Sequence, residues 1–520
     1  MRTAVIGAGP AGLTCVRQAR AAGLDVVCFE KAADLGGIWN PAGGGAYAGV
    51  RMQSSRMSMP FSDHPPAFAT DFPSQPEVQE YLRSYAQRHG LLDAVVFGSE
   101  VVRVARAAHG GWRVTARTAD GRERTEAVDA VLVANGELWQ PRLPARLPGP
   151  QAPVRVLASP DYRGPAEFAG QRVLVVGGGV SGADIAADLA GTAARVDWSV
   201  RRRQLFLPRT LGGRYNDALF SYAGRVAVEE LPYAEYLEWM GELEPDYLAM
   251  YRATGLLPES GFHGAVHVNE RIVPAVHAGA VHPVPAFAAF APDGTVEFAD
   301  GGVRAYDAVV LCLGYEMPDY GFVEELRRED LYEHHFWRHD PTLAVINTPV
   351  DTEAFGTACP YFEAVAGWAV AVLTGKAALP DERARAEWCA RHMGALTDRR
   401  YLDCWLETIR LGLLSGSLPD PAVDFAGYWA LVAGQVDPAR LAGPEPGRAR
   451  PGALDHRLDL AGLRHRILAA LPVEVRERLL AGGSVDAADL AAAAAVPAGR
   501  ELAPWLPYRQ RQDDRAEAAA

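Results

Sequence analysis

Two glycine-rich stretches, and the charges that follow them, are the residues best suited to chemistry in this chain. Gly7-Ala8-Gly9-Pro10-Ala11-Gly12 comes straight after the apolar run Thr3 to Ile6 and opens a helix-like segment that ends near Gly23. At that spacing Gly7 permits a tight turn, Gly9 lets the backbone approach a pyrophosphate, and Gly12 lets helix pack closely on strand. Phosphate oxygens then meet free N–H groups at a helix N-terminus. The next apolar run, Val26 to Phe29, stops at Glu30, with Lys31 after it. A carboxylate roughly twenty residues past the glycines can accept hydrogen bonds from a ribose diol. A dinucleotide is expected here.

The pattern returns after a Pro- and Gly-rich stretch between Pro141 and Pro165. Arg172 to Val176 reads as a strand, Gly177-Gly178-Gly179-Val180-Ser181-Gly182 as the turn, and Ala183 to Leu189 as the helix start, with Asp184 and Asp188 placed on its solvent side. The charge that follows is reversed. Glu30 lies 18 residues beyond Gly12, whereas 18 beyond Gly182 comes Val200 and then Arg201-Arg202-Arg203. An acid there would repel a ribose 2′-phosphate, while a guanidinium binds it bidentately and stacks on adenine. The first unit is therefore expected to hold FAD or NAD, and the second NADPH.

Other chemistries find little support. The six cysteines include no CxxC pair, which removes a disulfide-reductase reading and favours a reducing, cytoplasmic setting. Among His263, His267, His277 and His282, only His263, His267 and Glu270 could share a helix face. Gly264 and the β-branched Val266 and Val268 argue against that helix, so no metal site is expected. A formal charge of −13 disfavours broad nucleic-acid binding. The apolar start is broken by the turn at residues 7–12, and no run reaches the roughly eighteen apolar residues of a membrane span, so neither secretion nor a span is expected.

Several elements must position these residues. The 520 residues, 49% of them hydrophobic, suffice for about three domains. Leu35-Gly36-Gly37-Ile38-Trp39-Asn40 suits a loop passing close to an extended ligand, and residues 47–65 form a Ser- and Met-rich loop carrying Gln53-Ser54. A helix is expected over 76–92, with strands at 95–97, 100–104, 112–116 and 129–133. The last ends in Ala134-Asn135-Gly136, a small turn at the strand edge where open α/β sheets place ligands. Residues 233–251 read as helix broken at Pro245. The strand 308–313, closing at Gly314-Tyr315, is expected to return the chain to the first unit. A helix at 360–376 should point its N-terminus at the first ligand, and 458–480 should be helical with a division at Pro472, followed by a local Ala-rich helix at 487–496. Arg56, Arg209 and Arg271 are candidates to hold a substrate carboxylate, with surface or NADPH contacts the commoner reading.

From residue 1 to about 465 the chain resembles the class B flavin-dependent monooxygenases, the flavin-containing monooxygenase family. The resemblance rests on GAGPAG with Glu30, LGGIW, FSDHP at 61–65, EYLRSYAQRHGL at 80–91, the turn at Asn135-Gly136, RVLVVGGGVSGADIA and LCLGYE at 311–316. It implies an α/β fold with two dinucleotide-binding, Rossmann-like domains, the NADPH domain inserted in the FAD domain. The corresponding division is 1–165 and 304–442 for FAD, 166–303 for NADPH with an insertion, and 443–520 as a helical extension with a disordered tail. It also implies FAD on Gly7, Gly9, Gly12, Glu30, Lys31, Gly37, Ile38, Trp39, Gln53, Ser54, Asn135 and Gly136. NADPH falls to Gly177, Gly179, Ser181, Gly182, Arg201 and Arg202, and Tyr315 belongs to the cofactor site. Gln53 is the implied catalytic amide, near the flavin carbon at which O2 reacts.

Three positions depart from the family pattern. Gln53 stands where an Asn is usual, Ala158 where a His is usual in the motif preceding the second glycine turn, and Cys312-Leu313-Gly314-Tyr315 replaces an ATGY-like turn. The missing His ranks Baeyer–Villiger oxygenation of a ketone below N-hydroxylation or S-oxidation, and an uncoupled NADPH oxidase whose substrate site is lost is a further alternative. The implied partners are O2 and a small amine, amino acid or thioether, with no nucleic acid and no membrane span; a homo-oligomer is allowed.

Overall fold

The computed structural model describes residues 1–502 apart from 44, 48, 229, 260–265, 317, 319, 347–358, 393–403, 436 and 442–449. The start of the expected extension at 443–449, the terminal tail and His263 lie outside the described residues. The fold is α/β, as expected, and two parallel-rich sheets organise it.

The first sheet has seven strands, in the order 331–332, 336–337, 343–345, 130–133, 2–6, 25–29 and 95–96. Arg2–Ile6 is an interior strand, parallel to Asp25–Phe29 on one side and to Ala130–Val133 on the other. Alternation along it feeds two layers: Val5 packs with the helices, Ala4 and Ile6 with the opposite face. Helix α1 (Pro10–Ala21) follows at once, started by Pro10, whose missing N–H costs nothing at that position. Helix α2 (Gln75–Arg88) begins on a capping box in which Ser74 and Glu77 exchange hydrogen bonds.

The second sheet has five strands, in the order 282–284, 195–199, 172–176, 308–311 and 155–158. Helix α3 (Val180–Leu189) leaves its central strand as α1 leaves the first. Two strands fall on the other side of the expected boundaries. Arg155–Ala158 was expected within 1–165 and Ala308–Leu311 within 304–442, yet they pair with each other, and Ala308–Leu311 pairs on its other side with Arg172–Val176. The reason is burial: Val309 and Leu311 join Leu174 and Val176 on one face, and Val310 joins Val173 and Val175 on the other. The return to the first sheet comes one turn later, where Arg142 N–H donates to the Gly314 carbonyl (2.9 Å) and Glu316 N–H to that of Gln140 (2.8 Å).

The helices at 233–251 and 458–480 split where proline enters, as expected, into Tyr233–Leu243 and Pro245–Thr254, and into Leu460–Ala469 and Val473–Ala481. The hairpin strand Glu123–Val128 had no expected counterpart; its charged, exposed sequence carries no apolar alternation. Helix α4 (Cys359–Leu373) packs on α1 beneath the first sheet. No described helix is long and apolar enough to cross a membrane.

Candidate active site

The two glycine turns share one architecture. Gly7 has φ +102° and Gly177 φ +129°, in the left-handed region where a side chain is strained. A Cβ on Gly7 would run into the Ala134 carbonyl of the neighbouring strand end, and one on Gly177 into that of Cys312. Gly7 N–H donates to the Phe29 carbonyl (2.8 Å) and Gly177 N–H to that of Ser199 (3.0 Å). Each first-glycine carbonyl is held in turn from the adjacent strand, by the Cys28 thiol at 3.4 Å and by the Trp198 indole at 2.8 Å. Gly12 and Gly182 then let α1 and α3 approach so closely that a Cβ would collide with the carbonyls of Gly7 and Gly177. The helix N-termini thus face outward with free N–H groups, two anion cradles built alike.

Both cradles open into one cavity of about 660 Å³, within the usual range for small-molecule sites. Of the residues singled out in the sequence, Gly7, Gly9, Glu30, Lys31, Gly37, Ile38, Trp39, Gln53, Asn135, Gly136, Gly179, Ser181 and Tyr315 line it. Gly12, Gly177 and Gly182 stand behind its wall as packing positions, and Ser54 is fully buried behind Gln53. Arg201 and Arg202 are exposed on the loop past Ser199, outside the wall.

At the first cradle, buried Glu30 accepts from Ala8 N–H (2.6 Å) and Ala32 N–H (2.8 Å), which fixes its carboxylate at the strand end. Lys31 lies 4.1 Å from the Trp139 ring centre, and the Trp139 indole donates to the Asn135 carbonyl at 2.6 Å. The Gly37–Trp39 turn is tied down from α2, where Gln75 donates to the Trp39 carbonyl (2.5 Å) and Gln79 to that of Leu35 (2.9 Å). Gln53 enters the cavity from the 51–58 segment, and its side-chain carbonyl is buried with no hydrogen-bond partner among the described residues. An orphaned buried acceptor of this kind fits a ligand that brings a donor. Together with the two cradles, it makes the cavity fit a flavin dinucleotide and a nicotinamide dinucleotide.

Several residues turn out differently from expectation. Asp184 is 5% exposed and lines the cavity rather than facing solvent, because α3 packs along the second sheet with that face inward. Asn269 donates to it at 2.6 Å, and burial pushes its carboxyl up to about 6, opposed by the Arg209 and Arg271 charges. The folded state therefore holds this proton more tightly than the unfolded chain. Asp184 contributes no penalty below about pH 4 and its full penalty above about pH 6, so stability is lost as pH rises through that window. The gap from 3.8 to about 6 corresponds to roughly 3 kcal/mol. Asp184→Asn should accordingly raise the melting temperature relative to the parent at pH 8 and leave it unchanged at pH 4; equal melting curves at both would contradict it.

None of Arg56, Arg209 and Arg271 lines the cavity. Arg209 pairs with Glu270 (2.6 Å) and Arg271 with Asp188 (3.4 Å). His267, on Val266–Val268, is a core residue against Phe206, and burial lowers it to about 4. No metal-ligating cluster occurs among the described residues. Trp139, Asp184 and the glutamines of α2 were missed. Trp139, four residues past Asn135, and Asp184, two past Gly182 within the second glycine motif, stood where a motif could have flagged them.

Residues 1–410 match the model of the family described as flavin-binding monooxygenase-like. Flavin-containing monooxygenase 5 of Rattus norvegicus is 30% identical over 498 residues, covering 85% of this chain and 89% of the relative. Dimethylaniline monooxygenase [N-oxide-forming] 2 of Mus musculus is 31% identical over 421 residues, covering 73% and 75%. Among solved structures, the S-allyl-L-cysteine S-oxygenase of Allium sativum superposes with a TM-score of 0.57 at 24% identity, covering 80% of this chain and 88% of that one, a likeness of fold. This match over most of the chain places it in the flavin-binding monooxygenase-like family, as an FAD-dependent monooxygenase driven by NADPH.

Proposed function

We propose that FAD lies along the first cradle and NADPH along the second, and that the enzyme oxygenates a soft nucleophile, an amine nitrogen or a thioether sulfur, in the shared cavity. The observation that carries this reading is the joining of both cradles in one cavity with the Gln53 amide in its wall. When bound, the flavin supplies the redox chemistry, taking hydride from NADPH and passing oxygen to the substrate. The chain's own residues bind, orient and exclude water.

In this reading the α1 N-terminus and Gly9 hold the FAD pyrophosphate, and Glu30 accepts from its ribose. Lys31 with Trp139 closes the nucleotide end, and Gly37, Ile38 and Trp39 follow its length. Asn135 and Gly136 face it from the neighbouring strand end. Gly179, Ser181 and Tyr315 meet the NADPH side, and Arg201 and Arg202 reach its 2′-phosphate from the exposed loop. Gln53 presents its amide to the reactive edge of the flavin, where a fixed dipole in a dry site is worth far more than in water. Cys359 and Phe362, from the first turn of α4, wall the same cavity.

An amino acid substrate loses the support of Arg56, Arg209 and Arg271, which lie outside the cavity wall; Arg51, which does line it, turns its guanidinium to the Phe72 carbonyl (3.4 Å). A simple amine or thioether fits better, and the N-oxide-forming mouse relative supports the amine. For a ketone, the motif histidine is absent: Ala158 ends its strand, buried and without a side-chain proton donor. Six buried, unbridged cysteines suit a cytoplasmic setting. The test is to supply the holoenzyme with NADPH and O2 together with a tertiary amine, a dialkyl thioether or a cyclic ketone, and to analyse products by mass spectrometry. An N-oxide or sulfoxide is expected. A lactone as main product, or hydrogen peroxide alone with every candidate, would overturn the reading.

A further inference from the structure

The segment that carries Gln53 has no regular structure of its own. Between Arg51 and Ser58 it forms one isolated bridge, Arg51 to Ser74, and two further backbone bonds tie it to its own domain: Met52 N–H to the Pro73 carbonyl (2.8 Å) and Arg56 N–H to that of Asp71 (2.7 Å). Its other side is held from residues inserted between the second-sheet strands 195–199 and 282–284. Arg209 donates from Nε to the Met52 carbonyl (3.0 Å) and from Nη2 to the Arg51 carbonyl (3.3 Å). Asp217 accepts from Ser55 N–H (2.7 Å) and from the Ser58 hydroxyl. Gln53 therefore sits between two clamps, one on the residue before it and one two residues after it.

Both clamps are charged and buried, Arg209 at 8% and Asp217 at 2% exposure. Burying a guanidinium or a carboxylate is expensive, and apolar packing would hold a loop at lower cost. What a buried charge adds is direction, because charge-assisted bonds to backbone groups fix where those groups stand. Arg209 is itself fixed. It follows Leu205–Leu207, which pairs in parallel with Val266–Val268, and the residue two beyond that strand, Glu270, holds its Nη1 at 2.6 Å. Asn269, beside Glu270, bonds Asp184 on α3. A continuous set of contacts thus runs from the helix of the second cradle to the loop that presents the Gln53 amide at the first.

We propose that Arg209 and Asp217 are positioning residues for Gln53, holding the 51–58 segment so that its amide stands at the flavin edge. The inference rests on the role given to Gln53 above. A side chain displaced by about 1 Å can cost up to a hundredfold in rate, so loosening either clamp should be felt at the amide. Neither residue touches the cavity, and each acts through the loop.

The test reads hydrogen peroxide release by the holoenzyme with NADPH and O2 and no substrate, in Gln53→Ala, Asp217→Asn, Arg209→Lys and the double variant Gln53→Ala with Asp217→Asn. FAD content per chain is the check on folding. Each single variant should leak roughly tenfold faster than the parent. The double variant should leak no faster than Gln53→Ala alone, because residues acting through one group are not additive. A parent-like leak in Asp217→Asn beside a fast leak in Gln53→Ala would overturn the proposal and leave the role of Gln53 standing. So would a double variant whose leak multiplies the two single effects. A parent-like leak in Gln53→Ala would instead remove the role of Gln53 itself, and the proposal with it. If Asp217→Asn does not retain FAD, Arg209→Lys, alone and combined with Gln53→Ala, decides by the same criteria.

Discussion

Gly12→Val is expected to purify as a colourless protein. Gly12 lies where α1 crosses the turn that begins the cradle, and any Cβ there collides with the Gly7 carbonyl, a backbone atom that cannot swing aside. That carbonyl is also tied to Cys28 on the next strand, and Gly7 N–H to Phe29, so the turn yields only by opening the sheet edge. The alternative is for α1 to withdraw, which carries its free N–H groups away from the pyrophosphate. Overpacking of this kind costs about 1–3 kcal/mol, and the lost phosphate contacts add to it. FAD affinity should fall on the order of a hundredfold or more. Gly23→Ala is the control: its φ of +79° is strained for alanine, yet nothing lies within 4 Å of the added atom. That variant should remain yellow with a small loss of stability. Flavin absorbance per purified chain distinguishes the two, and a yellow Gly12→Val protein would contradict the cradle.

Gln53→Ala is expected to shift the fate of oxygen rather than the rate at which flavin is reduced. Its amide enters the cavity from the 51–58 segment beside Arg51, and its carbonyl is buried without a partner among the described residues. Removing one preorganised hydrogen-bonding group from an active site typically costs a hundredfold or more in the step it serves. Because NADPH consumption continues, that loss should appear as peroxide, with product formed per NADPH falling on the order of tenfold or more. Gln53→Asn is the informative companion, since it keeps the amide on a shorter side chain. Partial recovery of coupling in Gln53→Asn would assign the effect to the amide, whereas coupling at the parent level in Gln53→Ala would rule the amide out.

The cradles were legible because their requirements are local. Three glycines at fixed spacing after an apolar run, and an acid or arginines at the end of the next, can be read within about thirty residues of chain. Sheet membership was not local in that sense. Ala308–Leu311 and Arg155–Ala158 are short apolar runs that would suit either sheet, and only the pairing of Val309 with Val156 and Leu174 decides between them. Asp184 was misplaced because an acid early in a helix reads as solvated, whereas the cavity brings the site to that face of α3. Arg209 was read as a candidate ligand-binding cation and proved to serve the backbone of Arg51 and Met52, more than 150 residues away. Contacts from a side chain to distant carbonyls, N–H groups or hydroxyls leave no pattern in a sequence, which is why both clamps on Gln53 emerged only from the folded chain.

Anaerobic mixing of the purified protein with NADPH or with NADH, followed by the visible flavin band, tests the central claim most directly. Two cradles of opposite charge preference in one cavity require that NADPH bleach the band, that NADH do so less efficiently, and that neutralising Arg201 and Arg202 narrow the difference. A protein without a flavin band, or one bleached equally well by both nucleotides whether or not the arginines are present, would contradict it.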